Sequence, residues 1–278
     1  MFYATITLLL SVQLGVWLYM DMQDVPRDLA QDVERIEQVV KREFYPAQGM
    51  PEKSWAQIKK PLILSLLLLA SAKFGEYSLD QLEPVAAGLE LLNLGANKHY
   101  RESVRDLSSG CEVDNTSLIM GDYYYSKGIS VASGAGISFV IEIMSQAIVD
   151  LTEAQAELSW NDRNRQAESF SRHCEVWSKQ AALFSAACRL GALLGGAGEE
   201  RARDLERFGC STGVILNFTG GNGRAWGIPG GQEELMENLI AEAKRSLGNL
   251  PENEYKSFLT RLPEELISCL FPPIDNSR

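Results

Sequence analysis

Apolar residues recur at helical spacing along almost the whole of this chain, and strand signals are nearly absent. Leu29, Val33, Ile36, Val39 and Val40, for example, have the spacing that places side chains on one face of a helix. With 278 residues, of which 45% are hydrophobic, the chain is long enough to bury a substantial core. The pattern therefore predicts an all-α bundle.

The predicted helices follow one another with short interruptions. The first ends near Phe44–Pro46, and Ser78 with Gln81 resembles a capping box for a later helix, whose start Pro84 would delay or kink. That helix should end in a polar turn over Asp106–Asp114. The other predicted helices are Pro61–Lys73, Ser117–Leu158 with a break near Ser133–Gly136, Gln166–Leu194, Glu199–Phe218, Gln232–Leu247 and Glu252–Leu270.

The N-terminus is unusually apolar. Phe2–Met20 carries no charge and is long enough to cross a bilayer, while basic residues follow only from Arg27 onward, which favours a cytoplasmic domain. No basic residue precedes the run and no small-residue cleavage site follows, so a signal peptide fits poorly. We expect residues 1–24 to form an apolar N-terminal helix and single membrane anchor, and residues 25–278 to form one helical domain. The alternatives are an extra helix packed on a cytoplasmic bundle, or a start codon placed too early.

Charge and cysteine content exclude some functions. A net charge of −11 argues against nucleic acid as a partner. The five cysteines have no metal-type spacing, and their odd number is typical of reduced thiols in the cytosol. The two histidines are too few and too far apart for a histidine metal site.

The functional information lies in a series of short segments. They are Ala86–Leu92, Asn97–Val104, Met120–Tyr123, Lys179–Phe184, Arg189–Ala192 and Phe208–Arg224. In order and spacing they resemble the trans-polyprenyl diphosphate synthases, and the resemblance extends from about Trp55 to Ile267. It implies the helical bundle of isoprenoid synthases.

Both aspartate-rich motifs of that family are missing here. Tyr100, Arg101 and Val104 stand at the three aspartate positions of the first motif, and Gly220–Arg224 contains no carboxylate at those of the second. The family uses these aspartates to hold Mg²⁺ against the departing diphosphate, and hard Mg²⁺ requires oxygen ligands. The resemblance therefore implies a chain without catalytic residues, metal or cofactor.

Other substrate positions are altered too. The family segment that binds isopentenyl diphosphate corresponds to Ala56–Pro61, where the Gly-Lys pair is absent and Lys60 replaces the arginine. The late loop Gly227–Gln232 lacks the family's lysine and aspartate. These losses agree with an inactive lone chain.

Basic residues gather near the lost metal site, and they support two interpretations. They are Lys98, His99, Arg101 and Arg105, with Arg224 facing them from the opposite helix and Lys179 approaching the same cavity. Arginine forks could clamp a diphosphate without metal. Alternatively, these residues form solvated or internal ion pairs with Glu90, Glu102 and Asp106.

Gly95 and Ala96 occupy the positions five and four residues before the first aspartate position. In the family such residues line the tunnel that receives the growing product, and small ones leave it open for long chains. The alternative is that they permit close packing of two helices.

The resemblance implies a non-catalytic subunit of a heteromeric polyprenyl diphosphate synthase, paired with a catalytic homologue through Ser117–Leu158. Two alternatives stay open. One is an active prenyltransferase with atypical Mg²⁺ ligands such as Asp106 and Glu102. The other is a prenyl-lipid-binding scaffold protein.

Overall fold

The computed structural model describes residues 25–44, 62–109, 115–164, 170–217 and 232–268. Within these ranges the chain forms α-helices and one short 3₁₀ turn, Ser133–Ala135, without any strand. The helices are α1 (Arg27–Phe44), α2 (Ile63–Ala72), α3 (Leu79–Ser109), α4 (Asn115–Ala132), α5 (Ser138–Asn164), α6 (Phe170–Gln180), α7 (Ala182–Leu194), α8 (Glu199–Asn217), α9 (Gln232–Ser246) and α10 (Glu254–Ser268). The predicted all-α class is confirmed, whereas the predicted apolar helix of residues 1–24 lies outside the described residues.

The most apolar helix is at the centre of the bundle. Every residue of α2 is buried, including Ser65 and Ser71, because its sequence is apolar on all sides. Helix α1 is amphipathic instead, and it covers the core with a stripe that includes Leu29, Ile36 and Val40. Both arrangements follow from the sequence pattern.

Glycines set the closest helix contacts. A Cβ at Gly209 of α8 would lie 2.5 Å from the carbonyl oxygen of Phe184 in α7. A Cβ at Gly191 of α7 would collide with the Leu68 carbonyl oxygen of α2. Helices α2, α7 and α8 therefore pack backbone to backbone, a separation that any side chain at these positions would prevent.

Several predicted helix boundaries are correct and three differ from the structure. Helix α3 continues through Asp106 to Ser109, because the first strong helix breaker in this region is Gly110. It also begins before Pro84, which is accommodated inside its second turn. The helix predicted over Gln166–Leu194 is divided into α6 and α7 at Ala181.

The bundle has two ends that differ in their connections. We call the first the turn end; it contains Val25 and the turns 73–78, 133–137, 195–198 and 247–253. Glu76 N donates a hydrogen bond to Gly195 O (2.5 Å), and Arg201 Nη1 donates one to Phe74 O (3.2 Å). These bonds join the start of α8 to the turn that precedes α3.

Because α3 and α8 start together, both run toward the opposite end of the bundle. We call this the motif end; it contains residues 97–109 of α3 and Asn217 of α8. The segment of the first lost motif and the end of α8 therefore lie at the same end, while the second motif segment, Gly220–Arg224, lies outside the described residues. No helix in the described ranges is both long enough and apolar enough to span a membrane.

Candidate functional site

The candidate site is the motif end, where the structure describes only part of the predicted set. Arg101 and Arg105 belong to the last turns of α3, but their side chains are outside the described part of the chain. Lys60 and Arg224 lie outside the described residues altogether. The diphosphate clamp consequently stays a prediction at these positions.

His99 is held against the neighbouring helix α4. Its ring stacks on that of Tyr125, with centroids 5.2 Å apart and planes at 14°, and its Nε2 lies 3.2 Å from Asp122 Oδ1. A Cβ at Gly121 would come within 2.6 Å of the same Nε2, so the ring occupies the space left by the missing side chain. His99 therefore has a packing role beside the motif end.

The environment of Tyr125 supports that role. Burial, and then the nearby Asp122 carboxylate, raise the pKa of the Tyr125 phenol to about 12. The ring is consequently neutral at physiological pH and offers His99 a flat apolar surface. The exposed Asp122 leaves one acidic group at the edge of this stack.

Gly95 contacts α4 directly. A Cβ on Gly95 would lie 2.9 Å from the Gly121 carbonyl oxygen and 3.0 Å from the Tyr125 ring. Ala96 is 5% exposed and belongs to the main core. The prediction that Gly95 opens a product tunnel is not supported by this geometry, because the space beside it is filled by α4. The surroundings of Gly95 instead match the alternative interpretation, in which a glycine permits close packing of two helices.

Lys179 is engaged on the side of the bundle formed by α5 and α6. Its Nζ donates a hydrogen bond to Glu153 Oε2 (2.9 Å), and this bond is the main cause that raises the pKa of Lys179. Glu153 was not among the partners expected for the basic residues. The lysine predicted to approach the diphosphate cavity thus forms an ion pair between two helices.

Glu90 has a different partner from the expected basic residues. Its Oε1 accepts a hydrogen bond from the backbone N–H of Ser65 (2.8 Å), in the first turn of α2. The Leu64 N–H of the same turn also favours the charged form of this carboxylate. The partners that the structure describes for Glu90 are therefore in α2 and not in the basic group. The carboxylate instead caps the N-terminus of a buried helix, where unpaired N–H groups need an acceptor.

Burial dominates the ionisation of Glu90. The residue is 4% exposed, and this burial raises the pKa of its carboxyl group to about 7, although the hydrogen bonds from α2 act in the opposite direction. The sequence pattern singles out this residue but does not reveal its partner in α2. The available signal was a single acid within the otherwise apolar run Val85–Leu92.

The described residues offer no group of side chains that is suited to binding a metal ion. Across the described ranges, no cluster of three or more His, Cys, Asp or Glu side chains could hold a metal ion. The described part of the motif end offers the His99–Asp122 pair and a glycine-lined helix contact. These groups can position helices α3 and α4.

Known proteins resemble this chain in sequence and in fold. A family model described as Polyprenyl synthetase matches residues 107–218. The heptaprenyl diphosphate synthase component 2 of Geobacillus stearothermophilus is 27% identical over 229 residues, which represent 76% of this chain and 70% of that protein.

Two solved structures illustrate the shared fold. A polyprenyl synthase from Caulobacter crescentus, complexed with calcium and isoprenyl diphosphate, has a TM-score of 0.73 at 16% identity, over 89% of this chain and 99% of that chain. A deletion mutant of a heterotetrameric geranyl pyrophosphate synthase from mint has a TM-score of 0.63 at 19% identity, over 86% of this chain and 99% of that chain.

Proposed function

This chain belongs to the polyprenyl synthetase family, and from that premise we propose that it is a non-catalytic subunit of a heteromeric polyprenyl diphosphate synthase. The observation that carries the proposal is the replacement of both aspartate motifs. Tyr100, Arg101 and Val104 cannot take the place of three aspartates as Mg²⁺ ligands, and Gly220–Arg224 provides no opposing carboxylate. Without the metal, the leaving diphosphate has no adequate charge stabilisation.

The comparisons support a partner subunit. One relative is named as a component of heptaprenyl diphosphate synthase, and a protein of the same fold is described as a heterotetrameric synthase. We infer that this chain likewise assembles with a homologue that carries both aspartate motifs. That partner would perform the condensation, and this chain would stabilise it and contribute to the choice of product length.

The contact surface would lie on α4 and α5, within the predicted range Ser117–Leu158. Ile119 and Val149 are large apolar side chains that are 65% and 46% exposed on these two helices. Helix α5 also carries partly buried apolar residues such as Ile141 and Ile148. Apolar side chains exposed on adjacent helices are typical of a surface that a partner covers.

Two further elements of the proposal concern anions and lipid. Arg101, Arg105, Arg224 and Lys60 would bind the diphosphate of a prenyl chain without ionising it, since guanidinium groups form paired hydrogen bonds with phosphate oxygens. Residues 1–24 would tether the subunit to the cytoplasmic face of a membrane. Both elements would keep long apolar products near the bilayer.

The decisive experiment is a prenyltransferase assay with isopentenyl and farnesyl diphosphates and Mg²⁺. It should be run with this chain alone, with a motif-bearing homologue from the same organism alone, and with the mixture. We expect long products, or a large rate increase, only in the mixture. If this chain alone forms product and the Asp106→Ala variant does not, the chain is instead an active prenyltransferase with atypical Mg²⁺ ligands. No gain in the mixture would favour a lipid-binding scaffold.

Assembly can be measured separately from turnover. Ile119→Asp should weaken association with the homologue in sedimentation or co-purification, because it introduces a charge into the proposed apolar surface. Gln38→Asp, at an exposed position of α1, is the matched control and should leave association unchanged. Equal association of the two variants would place the partner elsewhere.

A further inference from the structure

The described start of the chain is fixed at one end of the bundle. Val25 is 5% exposed and packs into the main core, just before α1 begins at Arg27. In the first turn of α1, Asp28 Oδ2 accepts hydrogen bonds from Lys73 Nζ and from Tyr255 Oη, each 2.7 Å long. The point at which residues 1–24 join the bundle is therefore at the turn end.

A second set of contacts holds α1 in the same direction as α3. Tyr77 Oη donates a hydrogen bond to Asp32 Oδ2 (2.6 Å), and Arg35 Nη2 donates one to Asp80 Oδ1 (3.2 Å). Further along, Tyr123 Oη donates to the Glu43 carbonyl oxygen (3.1 Å). Successive residues of α1 are thus attached to successive levels of the bundle, which fixes the position of Val25.

The connection between the apolar run and Val25 is very short. Only residues 21–24 separate Met20 from Val25, and a fully extended chain spans at most about 18 Å over those five steps. Helix α3 alone contains 31 residues and is therefore about 46 Å long. If Phe2–Met20 enters a bilayer, the motif end cannot be the end that lies nearest to it.

We propose that the turn end faces a membrane surface and that the motif end points away from it into water. This inference rests on the proposed tether by residues 1–24, and it adds an orientation to it. A prenyl diphosphate bound with its charged group at the motif end would then have its apolar chain directed along the bundle toward the bilayer. The orientation separates the charged group from the lipid by the length of the bundle.

The charges of the turn end indicate how the attachment works. Glu76, Glu199, Glu200 and Glu252 are exposed there. Lys73 forms an ion pair with Asp28 (2.7 Å), and Lys256 forms one with Glu252 (2.6 Å). Such a surface gains little from anionic lipid headgroups. Membrane attachment should consequently depend on insertion of the apolar run and be insensitive to salt.

Photo-crosslinking to lipid tests the orientation on the full-length chain. Phosphatidylcholine vesicles would carry a short photoactivatable group at the headgroup, and crosslinked peptides would be identified by mass spectrometry. We expect most crosslinks in the turns 73–78, 133–137, 195–198 and 247–253. Crosslinks concentrated at Asn97–Ser109 and the start of α4, or spread equally over both ends, would overturn the proposal.

A matched variant separates this proposal from the one on which it rests. Leu9→Arg combined with Leu10→Arg leaves every described residue unchanged and should abolish vesicle binding by the full-length chain. Failure of the wild-type chain to bind vesicles would overturn both the tether and the orientation. The synthase assay in detergent with the catalytic homologue would still report on the subunit function by itself. Binding with crosslinks at the wrong end would overturn the orientation alone.

Discussion

Helices α1 and α4 both pack on α3, but they do so by different means. The contact of α3 with α4, which we call the glycine contact, is formed by Gly88, Gly95, Gly121 and Gly128. A Cβ at Gly88 would lie 2.7 Å from the Gly128 carbonyl oxygen, and a Cβ at Gly128 equally close to that of Gly88. The backbones therefore touch, and no side chain can adjust to relieve an added atom.

Helix α1 is attached to the bundle by an apolar stripe and by a series of polar side chains. Asp28, Asp32, Arg35 and Glu43 form hydrogen bonds or ion pairs with residues of α3, α4, α10 and the turn before α3. Most of these groups are partly exposed, so water can replace a lost bond. The glycine contact should therefore tolerate almost no change, whereas the attachment of α1 should lose stability in small steps.

The largest effect is expected from Gly88→Ala. The added methyl group would meet the Gly128 carbonyl oxygen at 2.7 Å and the Ala132 Cβ at 2.8 Å, so the helices must move apart. We expect a loss of about 3 kcal/mol in the free energy of unfolding, measured by urea denaturation. Gly134→Ala is the control, because its Cβ would meet only the Pro84 Cβ at 4.0 Å. Similar losses in both variants would contradict the importance of the glycine contact.

The second-largest effect is expected at Glu90, where the free energy of unfolding should depend on pH. The pKa of this carboxyl is raised from 4.5 to about 7 in the folded chain, mainly by burial. At pH values between these two pKa values, Glu90 therefore binds a proton when the chain folds. Wild-type stability should consequently fall as the pH rises from 5 to 7, by about 2 kcal/mol more than that of Glu90→Gln. Urea titrations at several pH values measure this difference. Parallel curves would refute the assignment, and exposed Glu142→Gln controls for the loss of a charge.

A smaller effect is expected from Asp28→Asn. Burial acts to raise the pKa of Asp28, but hydrogen bonds from Lys73, Tyr255 and the Leu29 N–H outweigh it and lower the pKa. Because the folded pKa is depressed, the stabilisation is present above the unfolded pKa and is lost as the pH falls through the folded value.

We expect Asp28→Asn to reduce the free energy of unfolding by about 1 kcal/mol at pH 7, a modest value because the side chain is partly exposed. The difference should shrink toward zero in acid. Glu34→Gln, on the exposed side of the same helix, is the control and should change stability very little at either pH. A loss that persists undiminished in acid would exclude the charged network as its source.

The smallest effect should come from Arg35→Gln. Arg35 forms ion pairs with Asp80 and Glu83, but its side chain is 52% exposed and that of Asp80 is 88% exposed. We expect a barely measurable loss in the free energy of unfolding that disappears in high salt. Urea denaturation at low and high ionic strength measures it. A loss as large as that of Gly88→Ala would reverse the comparison between the two contacts.

Much of the fold could be predicted from the sequence, because helical periodicity is a local property. The apolar stripe of α1, the break between α4 and α5, and the bounds of α8 and α9 agree closely with the predictions. The errors have local causes as well. Asp106 was placed in a turn because it is polar, although polar residues without glycine or proline continue a helix readily.

The candidate site was predicted less well, because its residues make contacts that are distant in the chain. Gly95 could either line a cavity or touch another helix, and only the position of Gly121 decides between them. Lys179 could reach a diphosphate or an acid, and the structure places it against Glu153. Single residues of this kind have no periodic pattern that would reveal their partners.

By itself, the sequence determined that this chain is an all-α bundle of the polyprenyl synthetase type and that its two aspartate motifs are absent. Both conclusions depend on residue identity and local spacing. The tertiary structure decided that Glu90 caps α2, that His99 packs on α4, and that Val25 enters the bundle at the end opposite residues 97–109 of α3. These facts depend on how helices far apart in the sequence approach one another, which is set by packing of the whole core.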